Sequence, residues 1–399
     1  MGKIRISGTG CALVDYLYPK VSFNSGSFLN YRSKSDGDGG LSPGRLVFTE
    51  ELEQFAGKNY PEILSEIAGG SVPSTYNLGG PGLVSLIHVA QMLPDDQFEV
   101  RFFGGAGNDD KAEIIFDLVN KTPLDITNYL KIGEKASPFT DVFSDPDYDN
   151  RHGERTFVNN IGAAWDYTPN YLETEFFDSD IVCFGGTALV PVIHDNLGNL
   201  LRKARQKHCI SVVNTVFDFR NEKKNPGKNW PIGDSREDLS LIDLLIMDKE
   251  EALKISGCNS LTAAADYFIA KQVPSFIITN GSQNITAYSS GGIFSSIGLL
   301  ELPVSEKVIS ELSSQIQKTG DTTGCGDNFA GGVIASVGQQ LLSSTKGQLS
   351  FTEAISWGVA SGGVACFYMG GTYFENEHFE KFKRIQEYVK HYLLQIGTK

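Results

Sequence analysis

The sequence predicts an α/β protein of three layers, in which a mostly parallel sheet is flanked by helices and carries a small β-rich lid. The main observation is the alternation of short apolar runs with longer segments of helical length across residues 77–281. A second is the stretch 137–162, in which two alternating strands flank a polar turn, the pattern of a β-hairpin. We interpret residues 1–399 as one domain, with lid elements at about 16–76 and 128–162 inserted in the α/β core.

The elements follow one another in a regular order. The chain opens with a short strand, KIRIS, and residues 19–76 then interrupt the core pattern, because they are rich in Ser, Gly and Asp. Within them, LVFTEELEQFAGKNYPEILSEIA indicates one or two short helices. From Asn77 onwards the segments are LVSLIHVAQML, FEVRFFGG, DKAEIIFDLVNK, DIVCFGG, NLGNLLRKARQKH, CISVVNTV, IDLLIMD, EEALKIS and SFIITNG, before small-residue helices. This succession predicts parallel strands, whose carboxyl ends meet at one edge and gather ligands there.

Composition and charge exclude several classes of function. With 399 residues, 41% of them hydrophobic, the chain can bury a large core. Its formal net charge of -14 argues against nucleic acid or an anionic membrane as a partner. The six cysteines are scattered, which is typical of reduced thiols, and neither a signal-peptide pattern nor an apolar run of about 18 residues occurs. We therefore expect a cytoplasmic protein.

The most informative stretch is residues 318–334, KTGDTTGCGDNFAGGVI, where a glycine-rich turn with two aspartates runs into a small-residue helix. Gly324, Cys325 and Gly326 can bring backbone N–H groups close to a ligand, and the helix adds the positive end of its dipole. These features predict a phosphate site. A bound phosphate would repel Asp327, so we interpret that residue as a base for a substrate hydroxyl. The alternative is an ordinary acidic N-cap.

Two further acids, Asp248 and Glu251, follow the apolar run LLIM at the start of a predicted helix. Their spacing places both carboxylates near one surface, which suits Mg²⁺ bound through oxygen ligands or water. The alternative is the favourable placement of acids in a first helical turn. Other acids and glycines that fall at predicted strand ends or helix starts are Asp15, Gly79, Gly80 and Gly281.

Other chemistries have little support in the sequence. There is no GxxxxGK[ST] motif, no GxGxxG after the first strand and no HExxH pair, which argues against a P-loop, a dinucleotide dehydrogenase and a zinc site. Cys325 could be a nucleophile, because a helix N-terminus lowers a thiol pKa. We interpret it instead as a small residue that fills an alanine-sized space.

The whole chain resembles the ribokinase-like, PfkB-type family of carbohydrate and nucleoside kinases. Residues 321–327, DTTGCGD, are similar to the DTxGAGD signature of that family. Further similar positions are Gly79 and Gly80, Gly104, the run 107–109, the lid segment 153–157 (GERTF) and the turn 279–282 (TNGS).

The resemblance implies a role for each matching residue. Asp327 would be the catalytic base, and the anion hole would be formed by Gly324, Cys325 and Gly326. Mg²⁺ would be held by Asp248 and Glu251. The nucleotide, ATP, would be bordered by Thr279, Gly281, Asp321, Thr323 and Gly370. The acceptor would contact Asp15, Gly79, Gly80 and Asn160. A potassium ion near Asp321 and Gly370, and a homodimer formed through the lid, are further expectations from the family.

The chain also departs from the family pattern. In the family an asparagine usually follows the glycine pair, but residues 81–85 of this chain read PGLVS. Three other positions also differ: Asp248 stands where the family commonly has Asn, Cys325 stands where it has Ala, and Lys111 stands where it has Gly. These departures leave the acceptor open. The leading hypothesis is an ATP- and Mg²⁺-dependent sugar kinase, and a nucleoside kinase is the alternative with the same fold. A non-catalytic relative that binds sugar or nucleotide is an alternative of another class, and a dehydrogenase is a remote third.

Overall fold

The computed structural model describes residues 2–397 except 36, 152, 174, 315–319 and 344–346. The first two residues of the glycine-rich motif, Lys318 and Thr319, therefore lie outside the described residues. In the part of the chain that is described, the strands form a nine-stranded sheet and a separate five-stranded sheet. The predicted fold class is confirmed: a large, mostly parallel sheet is flanked by helices, and a smaller sheet accompanies it.

The large sheet has the order β14-β13-β12-β11-β10-β9-β1-β5-β6. Its strands are β1 (Ile4–Gly10), β5 (Phe98–Ala106), β6 (Asp125–Lys131), β9 (Ile181–Gly185), β10 (Ile210–Asn214), β11 (Leu244–Asp248), β12 (Ser275–Thr279), β13 (Ile285–Ser289) and β14 (Gly298–Leu302). Every neighbouring pair from β12 to β6 is parallel, and only β13 and β14 join antiparallel at one edge. The parallel strands read as continuous apolar runs because both faces of the sheet are covered.

The small sheet has the order β3-β8-β7-β2-β4. Its strands are β2 (Leu13–Tyr18), β3 (Leu46–Phe48), β4 (Thr75–Gly79), β7 (Phe139–Asp145) and β8 (Glu154–Asn160). The hairpin predicted within 137–162 is confirmed, since β7 and β8 pair antiparallel. One local prediction was wrong: Asp15 does not end the first strand but lies in the middle of β2. The chain turns after Gly10 and crosses from one sheet to the other, which the sequence pattern around Cys11 does not reveal.

Helices connect the strands and cover the large sheet. Their bounds are α1 (Gly26–Asn30), α2 (Thr49–Ala56), α3 (Tyr60–Ala68), α4 (Pro81–Met92), α5 (Asp110–Val119), α6 (Tyr148–Arg151), α7 (Pro191–Asp195), α8 (Leu197–Gln206), α9 (Phe219–Lys224), α10 (Lys249–Ser256), α11 (Leu261–Ala270), α12 (Glu306–Ser314), α13 (Cys325–Ser343), α14 (Phe351–Ala365) and α15 (Glu380–Gln395). The helices predicted within 19–76 are confirmed as α2 and α3. Among the described residues, no helix is long and apolar enough to cross a membrane.

Alternate residues of the central strands contribute side chains to two hydrophobic cores, one on each face of the large sheet. In β11, Leu244 and Ile246 belong to one core, whereas Leu245 and Met247 belong to the other. This alternation follows from the two-residue period of a strand. The first core also includes the small-residue helices α4, α13 and α14. Glycines let these helices pack closely, because a Cβ at Gly331 would lie 2.7 Å from the Ser85 carbonyl oxygen of α4.

Candidate active site

Two carboxylates from different parts of the chain, Asp15 and Asp327, lie close enough for the charge of one to affect the pKa of the other. Asp15 lies in β2, and Asp327 lies in the first turn of α13. Burial raises the pKa of Asp327 to about 7, although part of the residue stays accessible to solvent. Burial also raises the pKa of Asp15 to about 7, and the negative charge of Asp327 adds to that increase. Two half-buried carboxylates of this kind are typical of a site that handles protons near neutral pH.

The loop before α13 leaves backbone donors open. Gly324 has φ +73°, and a side chain there would clash with the backbone of Gly371, so only glycine fits. The N–H of Cys325 donates to the Thr322 carbonyl at 3.3 Å. Within the described residues, no hydrogen bond uses the N–H of Gly326, and no atom lies within 4 Å of the position that its Cβ would take. The open amide stands at a helix N-terminus, which is the environment that anions favour.

Strand β8 of the small sheet holds this loop through Arg155. Its Nη2 contacts Asp321 Oδ2 at 2.7 Å, and its Nη1 donates to the Thr323 hydroxyl at 2.8 Å. The other oxygen of Asp321 accepts from the N–H of Thr323 at 3.0 Å and from the N–H of Gly370 at 3.3 Å. Asp321, Thr323 and Gly370, which the resemblance assigned to the nucleotide, therefore lie together and are connected to the lid.

A buried polar network lies behind the loop, and no pattern in the sequence indicates it. Asn328 donates to the carbonyls of Gly324 and Gly371, each at 2.8 Å. Its Oδ1 accepts from Lys381 Nζ at 2.9 Å and from the Tyr368 hydroxyl at 3.0 Å. Lys381 is almost completely buried, and burial lowers its pKa to about 7. The network connects α13 with α15 and fixes the backbone of the loop from the inside.

Another feature that sequence reasoning missed is a polar row across the small sheet. Asp15 lies opposite Asn77 on one side and Thr140 on the other, and Thr140 lies opposite Asn159. The Thr140 hydroxyl accepts from Asn159 Nδ2 at 3.0 Å, and its interaction with Asp15 opposes the increase in the pKa of that carboxyl group. Asn159 Oδ1 is buried and finds no partner within the described part of the chain. A row of this kind can bind a molecule that has several hydroxyl groups.

The other residues predicted to contact the acceptor lie beside this row. Asn160 Nδ2 donates to the Thr49 hydroxyl at 2.8 Å, whereas its Oδ1 is buried without a partner among the described residues. Gly79 packs directly against Asp15, where a side chain would clash with the Asp15 carboxylate. Gly80 has φ +93° and precedes α4, and a Cβ there would lie 2.5 Å from the Cys11 carbonyl oxygen. Both glycines thus let the chain turn close to Asp15.

Asp248 and Glu251 form a capping box at the start of α10. The Glu251 N–H donates to Asp248 Oδ1 at 2.8 Å, and the Asp248 N–H donates to Glu251 Oε2 at 2.9 Å. Glu251 Oε2 also accepts from the Thr215 hydroxyl at 2.5 Å. Burial raises the pKa of Glu251 to about 7, and Asp248 and more weakly Asp327 act in the same direction. The capping role considered for these acids is therefore present, and the charge of Asp327 also influences Glu251.

These carboxylates suit a hard cation, although they do not make a complete site. Asp248 is exposed, and only its Oδ1 serves in the capping box. Within the residues that are described, no three His, Cys, Asp or Glu side chains cluster as a metal site. Two carboxylates fit Mg²⁺, which usually keeps several waters and takes further ligands from phosphates.

The predicted nucleotide residues Thr279 and Gly281 lie at the same edge of the large sheet. Thr279 ends β12 and stands opposite Asp248 in the register of β11 and β12. Gly281 has φ +57°, is exposed and has no atom within 4 Å of the position that a Cβ would take. The end of β12 therefore lies beside Asp248, which immediately precedes α10.

The chain was compared with protein families and with solved structures. A probable sugar kinase from Rhizobium etli CFN 42 is 16% identical with a TM-score of 0.68, and the match covers 97% of this chain and 100% of that chain. The adenosine kinase of Anopheles gambiae, in complex with a di(adenosine) tetraphosphate, is 18% identical with a TM-score of 0.62 and coverages of 90% and 93%. A putative ribokinase II from E. coli, in complex with ATP and Mg²⁺, is 14% identical with a TM-score of 0.62 and coverages of 97% and 99%.

Likeness to solved structures at these identities shows the fold alone. The family model supports membership in a family as well as the fold, because the model of the pfkB family of carbohydrate kinases matches residues 73–378. The matched range contains β4, the hairpin of the small sheet, the capping box of α10 and the loop before α13. With the fold, the glycine-rich loop and the family model in agreement, the chain belongs to the pfkB family of carbohydrate kinases.

Proposed function

We propose that the protein transfers the γ-phosphoryl group of ATP to a hydroxyl group of a sugar. The observation that carries this proposal is the position of Asp327 in the first turn of α13, beside the open N–H of Gly326 and with a pKa raised to about 7. Such a carboxyl group is ionised in a large fraction of molecules at neutral pH and remains basic enough to accept a proton. The adjacent amide can stabilise the charge on the phosphoryl oxygens.

In the proposed reaction, the acceptor hydroxyl oxygen forms a bond to the γ-phosphorus while the bond from that phosphorus to the β,γ-bridging oxygen breaks. The hydroxyl proton passes to Asp327, and the bridging electron pair leaves with ADP. Asp15 and the polar row across the small sheet hold the other hydroxyls of the sugar, and the unpartnered Asn160 Oδ1 accepts from one of them. Phosphoryl transfer depends mainly on such positioning and on charge stabilisation.

Asp248 and Glu251 would hold Mg²⁺, directly or through water, at the edge where the nucleotide phosphates enter. Bound there, the ion would neutralise charge on phosphate oxygens. The putative ribokinase II in the comparison was solved with ATP and Mg²⁺, and we extend that pair to this chain by similarity. Thr279 and Gly281 would border the nucleotide at this edge of the large sheet. A potassium ion near Asp321 and Gly370, and a lid-mediated homodimer, remain predictions.

A nucleoside is the second candidate acceptor. The observation that favours it is the likeness to the adenosine kinase of Anopheles gambiae over 90% of this chain. A sugar remains our first choice because the family model that matches the chain is that of carbohydrate kinases. Both candidates use the same base and the same loop.

The test is a phosphorylation screen of the full chain with ATP, Mg²⁺ and matched panels of free sugars and nucleosides, read by ADP release and by the mass of the product. We expect one or more sugars to gain a phosphoryl group and nucleosides to react at least about ten-fold more slowly in kcat/KM, a difference of 1.4 kcal/mol. Asp327→Asn is the control, since it keeps the fold and removes the base. A faster nucleoside would select the second candidate, and the absence of any phosphorylated product from both panels would overturn the proposal.

A further inference from the structure

Two thiols meet at the start of the phosphate loop. Cys325 is the first residue of α13, and Cys366 caps the C-terminal end of α14. Their sulfur atoms are 3.4 Å apart, and both residues are partly accessible to solvent. Three of the remaining cysteines (Cys11, Cys183 and Cys209) are buried, and the fourth, Cys258, is partly accessible.

We propose that Cys325 and Cys366 are a reversible redox pair whose disulfide switches the phosphate loop off. The formation of the disulfide rests on the geometry of the two thiols alone. Its effect on turnover rests on the proposed function, because Cys325 lies between the two glycines of the loop that would hold the transferring phosphoryl group.

The hydrogen bond between the thiols assigns a different role to each. Either thiol can donate in the contact between the two sulfur atoms, and this contact lowers the pKa of Cys366 and raises the pKa of Cys325. Cys366 is therefore the thiol that ionises first, and the thiolate is the nucleophile in thiol chemistry. The raised pKa of Cys325 argues against this residue as a nucleophile and agrees with its interpretation as a small residue in the loop.

The oxidant in the proposed step is a low-molecular-weight disulfide, such as oxidised glutathione. The Cys366 thiolate attacks one sulfur of that disulfide, which forms a mixed disulfide and releases one thiolate. Cys325 then loses its proton and attacks the Cys366 sulfur, which expels the second thiolate and closes the bond between the two residues. The protein loses two electrons and two protons in total, and the small disulfide becomes two thiols.

The structural consequence follows from the change in distance. A disulfide bond is about 2.05 Å long, so the two sulfur atoms must approach by about 1.3 Å from their separation of 3.4 Å. The start of α13 packs closely against the end of α14, because the Cys325 carbonyl oxygen lies 2.9 Å from the position that a Cβ on Gly362 would take. We infer that the approach of the two sulfur atoms shifts the start of α13, and with it Gly326 and Asp327. A misplacement of about 1 Å in a catalytic site can lower the rate by about 10²-fold.

The experiment equilibrates the full chain with oxidised and reduced glutathione at a series of ratios, alkylates the remaining thiols and maps the peptides by mass. We expect a cross-linked pair of peptides that contain Cys325 and Cys366, and its complete reversal by excess dithiothreitol. The variant Cys366→Ala should form no cross-link, with Cys366→Ser as a second variant. The matched control is Cys258→Ala, which removes another partly accessible thiol and should behave as the wild type.

Turnover is measured on the same samples. We expect a decrease of about 10²-fold on oxidation, recovery on reduction and no response in Cys366→Ala. The proposed disulfide pair would be contradicted if both thiols stay fully alkylatable at every glutathione ratio. It would also be contradicted if a mixed disulfide forms at Cys366 and Cys325 never displaces it. A cross-link without any change in turnover would overturn its role as a switch. If the reduced protein phosphorylates no acceptor, the proposed function fails, while the peptide map still decides whether the disulfide forms.

Discussion

Arg155 of the lid forms an ion pair with Asp321, 166 residues further along the chain, with 2.7 Å between Nη2 and Oδ2. The arginine is partly exposed and the carboxylate is mostly buried, with side-chain exposures of 29% and 11%. A second hydrogen bond to the Thr323 hydroxyl fixes the plane of the guanidinium group. The small sheet is therefore attached to the loop before α13 by a directional contact, which connects the position of that sheet with the geometry of the loop.

The first prediction concerns this contact. Arg155→Ala leaves the carboxylate of Asp321 without its charged partner, and we expect kcat/KM to fall by about 10- to 100-fold. Without the attachment of the lid, water should enter, and ATP hydrolysis in the absence of acceptor should rise relative to transfer. Arg155→Lys keeps the positive charge but loses the planar guanidinium group that bonds Asp321 and Thr323 together, so an intermediate rate is expected. Equal rates for all three proteins would contradict a role for the contact in catalysis.

A second prediction concerns the proton acceptor. Asp327→Asn should lower kcat by about 10²- to 10⁴-fold while ATP still binds. In the wild type, the rate should rise with pH through about 7, because the ionised carboxylate is the active form and burial raises the pKa of Asp327 to that value. Rate profiles against pH and ATP binding by calorimetry check this prediction. A variant that turns over at nearly the normal rate would exclude Asp327 as the base.

Asp327 also gives a third prediction, on stability. Its pKa is raised from 3.8 to about 7 by burial, so the folded protein binds more protons than the unfolded chain between these two values. The contribution of this group to stability is therefore lost as pH rises through that window. Asp327→Asn should raise Tm at pH 8 and change it little at pH 4. Melting curves at the two pH values test the sign, and an equal shift at both would contradict it.

The fourth prediction separates metal binding from capping at α10. Asp248→Asn removes a charge but retains a good N-cap, so we expect an unchanged Tm and a several-fold higher Mg²⁺ concentration for half-maximal velocity. Glu250→Gln is the matched control, because it removes an exposed acid from the same helical turn. If both variants need the same Mg²⁺ concentration as the wild type, Asp248 does not hold the ion.

The fifth prediction concerns the buried amine behind the loop. Burial lowers the pKa of Lys381 from 10.5 to about 7, so between these values the unfolded chain binds more protons and stability rises with pH. Lys381→Met should remove that rise, and Tm plotted against pH from 7 to 10 should become flatter. Lys383→Met, an exposed neighbour on α15, should leave the slope unchanged. If the curve of Tm against pH for Lys381→Met is parallel to that for Lys383→Met, Lys381 does not titrate in this window.

Much of the fold was predictable because its signals are local. The apolar run before Asp248 and the alternation within 137–162 are properties of a few neighbouring residues, and both appear in the structure as strands. The acids of α10 were identified by their spacing, but spacing alone could not distinguish a capping box from a metal site. Asp15 was predicted to be a site residue, and its strand was wrongly placed because the crossing between the sheets depends on distant packing.

The order of the elements, the turn at Gly324 and the acid at position 327 follow from local sequence, since each depends on residues close together in the chain. The surroundings of that acid depend on tertiary packing. Asn328 meets Lys381, and Cys325 meets Cys366, across separations of 53 and 41 residues. Such contacts arise when helices pack through small residues and the chain crosses between two sheets. Neither event leaves a periodic pattern in the sequence.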